Sequence, residues 1–271
     1  MSVFDKKVVW ITGASSGIGE ALAYQFSKAG AKVILSARNQ GELERVQTAC
    51  LGDTLVLPMD VTDEEAMTSA VQDAKQWKGS IDLLLNNAGI SQRSSCLDTD
   101  MQTYRTLFEV DVFAQIALTK QVLPIMLAQG SGHIAITASV AGKIGAPLRT
   151  GYCAAKHAMM GFFDALRSEV DHENIKVTTI TPGYIRTNIS NNALQGDGSK
   201  FGKVDSDISA GMSVEECAKV IMRGFEKAKP EIAVGHGLEM HALWLKRLSP
   251  KLVFKLVAKQ YRKALAINNL R

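Results

Sequence analysis

The 271-residue sequence is poor in the residues that staple folds together. Its four cysteines, Cys50, Cys96, Cys153 and Cys217, lie far apart, with no CxxC pair and no cysteine–histidine spacing of the zinc type. That spacing gives no disulfide framework and no metal site, and it fits a reduced, cytoplasmic chain. Cys153 is read as a small helix residue with no activating partner rather than as a nucleophile. An excess of one charge is also missing: 31 Lys and Arg face 27 Asp and Glu, a net charge of +4. No basic block with interleaved aromatics occurs on the main body, so no nucleic-acid partner is expected. No run reaches the roughly 18 apolar residues of a membrane span. After Lys6-Lys7 only a few apolar residues precede Thr12-Gly13, too few for the core of a signal peptide. The last three residues, Asn-Leu-Arg, are not a peroxisomal address.

What is present is an alternation. Short apolar runs rich in β-branched residues fall at Val8–Thr12, Val33–Ser36, Thr54–Met59, Leu83–Asn86, His133–Thr137, Val177–Thr181 and Ile232–Val234. Helix-period segments lie between them, near Ile18–Ala29, Gly41–Cys50, Glu64–Trp77, Met101–Gln129, Tyr152–Glu173 and Val214–Lys227. Strands without strict polar alternation, separated by helices, predict a parallel sheet covered on both faces. The fold class expected is α/β, a doubly wound Rossmann-type sheet of about seven strands forming one domain over residues 1–271. Hydrophobic residues make up 46% of the chain, enough for a core of that size without staples. A Gly-, Ser- and Asp-rich stretch near residues 188–212 follows the sixth strand, where long loops tend to be functional.

Between the first strand and first helix stands Thr12-Gly13-Ala14-Ser15-Ser16-Gly17-Ile18-Gly19. Glycines allow a sharp turn and close approach to a pyrophosphate, and the helix N-terminus offers unpaired N–H groups. The second strand ends Leu35-Ser36-Ala37-Arg38. NAD sites usually place a carboxylate there for the ribose 2′-hydroxyl. Arg38 instead suits the 2′-phosphate of NADP. Tyr152 and Lys156 are four apart on one predicted helix and share a face. An ammonium beside a phenol lowers its pKa and makes it a usable acid or base. Ser139 follows the fifth strand, at the sheet edge where such sites lie. His157 is expected off the catalytic face, as a packing residue.

The spacing Gly-x-x-x-Gly-x-Gly, then Asn86-Asn87-Ala88-Gly89, Ser139, Tyr152-Cys153-Ala154-Ala155-Lys156 and Pro182-Gly183, resembles the short-chain dehydrogenase/reductase family over essentially the whole chain. The stretch from Pro182 to Asp205 is similar to the branch containing dehydrogenase/reductase member 7B and, more remotely, the 11β-hydroxysteroid dehydrogenases. The resemblance implies an oxidoreductase moving a hydride between the nicotinamide and a carbonyl or secondary alcohol, of a lipophilic substrate. Ser139, Tyr152 and Lys156 would be catalytic. Gly13, Ser15, Ser16, Gly17, Ile18 and Gly19 would hold the cofactor, with Arg38, Asp60, Val61, Asn87, Ala88 and Gly89. Tyr152, Lys156, Pro182, Gly183, Ile185 and Thr187 would complete the cofactor set. Asp60-Val61 would touch the adenine, although Asp60 also reads as a cap for the following helix.

One position departs from the family pattern. Where the family has an asparagine that binds a water leading to the lysine, this chain has Asp111. It is read either as a tolerated isostere or as a change to the proton relay, so it joins the catalytic set. A low-turnover, NADPH-binding sensor is the alternative function it raises. Ser139, Tyr152, Arg93 and Tyr184 are assigned to the substrate. Arg93 and Arg149 are read as receptors for an anionic group or, more simply, as solvated loop charges. The tail near 238–270 is amphipathic, with Lys251, Lys255 and Lys259 beside Leu252, Val253, Leu256 and Val257. Its apolar side packs on the core or on a partner subunit, or touches a membrane surface peripherally. The family resemblance implies a homodimer or homotetramer.

Overall fold

The computed structural model describes residues 2–268. Seven parallel strands, β1 (Val8–Thr12), β2 (Lys32–Ser36), β3 (Thr54–Val56), β4 (Leu83–Asn86), β5 (Gly132–Thr137), β6 (Ile175–Pro182) and β7 (Glu231–Val234), form one sheet in the order β3-β2-β1-β4-β5-β6-β7. The order reverses between β1 and β4, which opens a crevice at the carboxyl ends of those strands.

The apolar runs are continuous because each face of the sheet meets helices. Val9, Ile11, Val33, Leu35, Leu83 and Leu85 point to one side, against Leu22 and Phe26 of α1 (Gly17–Lys28) and Ile221 and Phe225 of α8 (Val214–Glu226). The alternate residues Val8, Trp10, Ile34, Leu84 and Ile134 point to the other. There they meet α3 (Glu64–Lys78), α5 (Ala114–Gln129) and α6 (Thr150–Glu169) through Met67, Leu118, Val122, Met159 and Phe163. The remaining helices are α2 (Gln40–Ala49), α4 (Met101–Phe108), the short α7 (Ser206–Ser209), α9 (Leu238–Leu248) and α10 (Pro250–Asn268).

Several expected boundaries move. The segment Met101–Gln129 is not one regular helix: a π turn at Glu109–Phe113 separates α4 from α5. The third strand ends at Val56 rather than Met59, because Pro58 has no N–H to give the ladder, although Leu57 and Met59 still bond Leu35 and Ala37. The sixth helix stops at Glu169, and a 3-10 turn covers Asp171–Glu173. The helical tail is built as two helices, parted at Ser249, with Pro250 opening α10 where its missing N–H costs nothing. The expected tail's last residues, 269 and 270, and the whole Asn-Leu-Arg terminus lie outside the described residues. Asp60 does not cap α3. Asp63 does, accepting from Glu65 and Ala66, while Asp60 accepts from Thr62.

Candidate active site

The glycine-rich loop leaves β1 and crosses to the chain after β4. Gly13 has φ +64°, and a Cβ there would meet Ala88 Cα at 2.9 Å. A Cβ on Gly19 would collide with the Gly13 carbonyl, so neither position admits a side chain. Thr12 Oγ1 accepts from the Asn87 and Ala88 amides at 3.0 and 3.1 Å. Asn87 Nδ2 donates to the Thr12 and Gly13 carbonyls at 3.1 and 3.2 Å, and Thr137 donates to Asn87 Oδ1 at 3.0 Å. Asn87 therefore ties β1, β4 and β5 together at the crevice. Ser16 precedes α1 without a side-chain cap, so the first helical N–H groups face outward unclaimed by it. Thr187, from the segment after β6, lies over Gly17, 3.2 Å from where a Cβ would sit. Ser15, Gly17 and Ile18 are half-buried and Ser16 is exposed along the same lip. Arg38 stands exposed at the end of β2, and Asp60 and Val61 are half-buried beyond β3.

The titratable groups converge at the ends of β4 and β5. Tyr152 and Lys156 come from the first turns of α6, and both are buried. Lys156 Nζ lies 5.7 Å from the centre of the Tyr152 ring. It donates to the Thr137 carbonyl at 3.3 Å and stands 3.3 Å from Asp111 Oδ2. Asp111 Oδ1 accepts from the Ile90 amide at 2.8 Å. The Ser139 hydroxyl accepts from the Ala141 amide at 3.1 Å and lowers the Tyr152 pKa slightly against the larger effect of burial. The structure thus brings together Ser139, Tyr152, Lys156 and Asp111.

The electrostatic outcome for the tyrosine differs from the sequence expectation. Lys156 does pull the Tyr152 pKa down, but burial pushes harder the other way and Asp111 adds to it, so the phenol ends above its usual value. Burial likewise raises the Asp111 carboxyl, opposed by Lys156 and the Ile90 amide. For Lys156, burial disfavours the charge, but the carboxylate and the phenol outweigh it and hold the ammonium on.

The substrate side holds a correction. Arg93 and Arg149 are not solvated. Both pair with Asp205 of the long loop, Arg93 at 3.2 Å, and their side chains are only 27% and 15% exposed. Three separate loops meet at that carboxylate, and the Asp205 backbone amide donates to Ser190 Oγ at 3.1 Å. Tyr184 is half-buried near the same group. Pro182 and Ile185 are buried, Ile185 in a bridge to Met212. His157 is not a packing residue: its side of α6 is exposed, and the ring bonds the Cys153 carbonyl. Cys153 is buried, and burial raises its thiol pKa, which suits an inert residue.

Two residues at the site carry no local sequence signal. Gln92 is fully buried, and its Oε1 accepts from the Gly151 and Tyr152 amides at 2.7 and 3.3 Å. It caps the catalytic helix from another segment. Glu239, at the start of α9, accepts from the Tyr184 and Gly237 amides at 3.4 and 3.2 Å and so brings the tail to the site.

These elements define a class: a parallel α/β sheet with a phosphate cradle at its switch point and a Tyr–Lys–Ser group beside it. A model of the short chain dehydrogenase family matches residues 7–198. Dehydrogenase/reductase SDR family protein 7-like of Anopheles gambiae is 41% identical over 265 residues, covering 95% of this chain and 84% of that one. Dehydrogenase/reductase SDR family member 7B of Mus musculus is 38% identical over 263 residues, covering 94% and 81%. A short-chain dehydrogenase/reductase from Burkholderia phymatum, solved in complex with NAD, superposes with TM-score 0.82 at 23% identity, over 93% of this chain and 96% of that one.

The chain belongs to the short-chain dehydrogenase/reductase family, in the branch of members 7 and 7B. It is an oxidoreductase that uses a nicotinamide dinucleotide. The cradle fits such a group: side chains are excluded at Gly13 and Gly19, and uncapped helix amides lie beside them.

Proposed function

We propose that this protein is an NADP-dependent carbonyl reductase acting on an uncharged, lipophilic ketone. The observation that carries the reading is the buried Tyr152 ring with the Lys156 ammonium 5.7 Å from its centre, in a place where burial raises the phenol's pKa. When bound, the cofactor supplies or takes up the hydride. The residues do the rest. Ser139 is placed to hold the substrate oxygen through its hydroxyl. Tyr152 gives that oxygen a proton as negative charge develops on it. The Lys156 ammonium, fixed by the Thr137 carbonyl and Asp111, stabilises the tyrosinate left behind.

Charge at the substrate wall favours a neutral ligand. Arg93 and Arg149 are occupied by Asp205, and Asp207 lies near enough to act on Arg93 as well. Two guanidiniums opposite two carboxylates leave no surplus for an anionic substrate.

Tyr152→Phe keeps the ring and removes the acid. Turnover of a reducible ketone should fall by a factor of about 100 or more. NADPH binding, measured by fluorescence titration, should persist in large part, because the glycine-rich loop is untouched and only one hydroxyl of the cofactor set is lost. Near-normal turnover in this variant would overturn the mechanism.

A further inference from the structure

We propose that Asp111 is a positioning residue that sets the pH profile of the reaction: held behind Lys156, its carboxylate keeps Tyr152 in the proton-bearing form at neutral pH, the form carbonyl reduction needs. This rests on the reading of Tyr152 as the acid.

The geometry is specific. Asp111 is fully buried in the π turn at Glu109–Phe113. A π turn adds a residue to the helix, and here it faces Asp111 and Val112 inward while Glu109 and Phe113 stay exposed. Oδ1 is satisfied by the Ile90 amide at 2.8 Å. Oδ2 has no hydrogen-bond donor among the described residues beyond the Lys156 ammonium 3.3 Å away. A carboxylate in such a place interacts strongly with whatever charge stands nearby, because little water screens it.

Counting charge gives the consequence. With the phenol neutral, Asp111 and Lys156 cancel and the buried group carries no net charge. Losing the Tyr152 proton would leave a net negative charge inside the protein. Without the carboxylate the balance inverts: the ammonium alone is left uncancelled, and tyrosinate becomes the state that balances it. The other charged group facing Tyr152 is Arg149, at the start of the same helix, and Asp205 pairs with it. The burial of Tyr152 and the Asp111 charge both raise its pKa, in line with this count. Alcohol oxidation needs tyrosinate as base, whereas carbonyl reduction needs the phenol as acid. The carboxylate therefore keeps the acid form available at neutral pH and moves the oxidation profile to alkaline pH, with the overall equilibrium unchanged.

The test is a pH–rate series in both directions for the parent and Asp111→Asn, with NADPH affinity measured in parallel. In the parent, oxidation should rise only at alkaline pH. In Asp111→Asn the oxidation profile should move down by about one pH unit or more. That is roughly a tenfold gain in oxidation at neutral pH for each unit. NADPH affinity should be nearly unchanged, since the cradle does not include this side chain.

A second measurement needs neither substrate nor a variant at position 111. Ultraviolet titration of tyrosinate in the parent, minus the same titration of Tyr152→Phe, reports the ionisation of Tyr152 directly. It should lie above the free phenol value of about 10. A value below that, superimposable pH profiles, or an inert parent that gains both directions in Asp111→Asn would each overturn the proposal. The last of these would mark Asp111 as a suppressor of turnover, as in a sensor. Retained turnover in Tyr152→Phe would instead remove the catalytic reading beneath it.

Discussion

Two arginines follow β2, Arg38 just past its end and Arg45 on α2, and they are in different states. Arg45 binds Glu20 through two nitrogens, Glu42 through a third contact, and the Ser15 carbonyl at 3.2 Å. Its charge is consumed in pinning α2 to α1 and to the phosphate cradle. Arg38 is exposed at the strand end. Its field reaches Asp60, whose carboxyl burial would raise but whose hydrogen bonds from Thr62, with help from Arg38, hold below its usual range. On the proposed use of NADP, Arg38 is the cation that would meet the 2′-phosphate, and no acidic residue occupies its place to repel one. Arg38→Ala should therefore erase most of a preference for NADPH over NADH, on the order of ten- to hundredfold in relative affinity. Binding titrations with both dinucleotides check it. Equal affinities in the parent protein would sink the assignment of NADP.

Single elements differ in how far the sequence discloses them. β1, α1 and the turn between them are legible because both the apolar run and the glycine spacing are local. Tyr152 and Lys156 are legible because four residues on a helix is one face. The π turn is not, since nothing in Glu109–Phe113 distinguishes it from regular helix. Its cause is tertiary: Asp111 is drawn inward by the Ile90 amide and Lys156. Gln92 capping α6, and Asp205 collecting Arg93 and Arg149, depend on partners more than fifty residues away in the chain. The tail lies between these cases. Its amphipathic period is plain in the sequence, but the break at Ser249 divides it between two helices. One stripe, Val253 with Leu243, Leu245 and Val257, packs on Val140 and Ile144. Trp244, Leu248 and Phe254 are left 73%, 83% and 60% exposed, with Lys251, Lys255 and Lys259 close by on α10. Basic side chains beside bare apolar ones suit an anionic lipid surface. We expect flotation with vesicles containing phosphatidylserine, weakened by salt and by Trp244→Ser with Phe254→Ser. No flotation at any lipid composition would refute a peripheral membrane contact.

At the scale of the whole molecule, a second apolar helical face among the described residues, besides that of the tail, is only partly covered. The segment Met101–Gln129 is the one helix among the described residues long and apolar enough to cross a membrane, by length and composition. It does not stand apart from the fold, since α5 lies against β4, β5 and α3 and the π turn lies against α6. Leu118, Val122 and Met126 fill that inner side. Yet less than half of its most apolar stretch is buried. Phe113 is 55% exposed and Leu127 39%, and Ile116, Leu123 and Ile125 are only half-buried. A helix apolar all round is ordinarily covered on both sides. The sheet covers one; a second copy of the chain related by a two-fold axis would cover the other, helix against helix. A stable interface of that kind needs roughly 1,200 Å² or more in total, so neighbouring α4 would have to contribute beside α5. Two-fold contact on this face would also brace the π turn that carries Asp111. Light scattering should report a homodimer, or a homotetramer if a second face joins, at micromolar concentration. Phe113→Lys with Leu127→Lys should shift the protein toward monomer without altering the core, because both side chains point outward. A parent that stays monomeric at tens of micromolar would show that this apolar face is not a subunit interface.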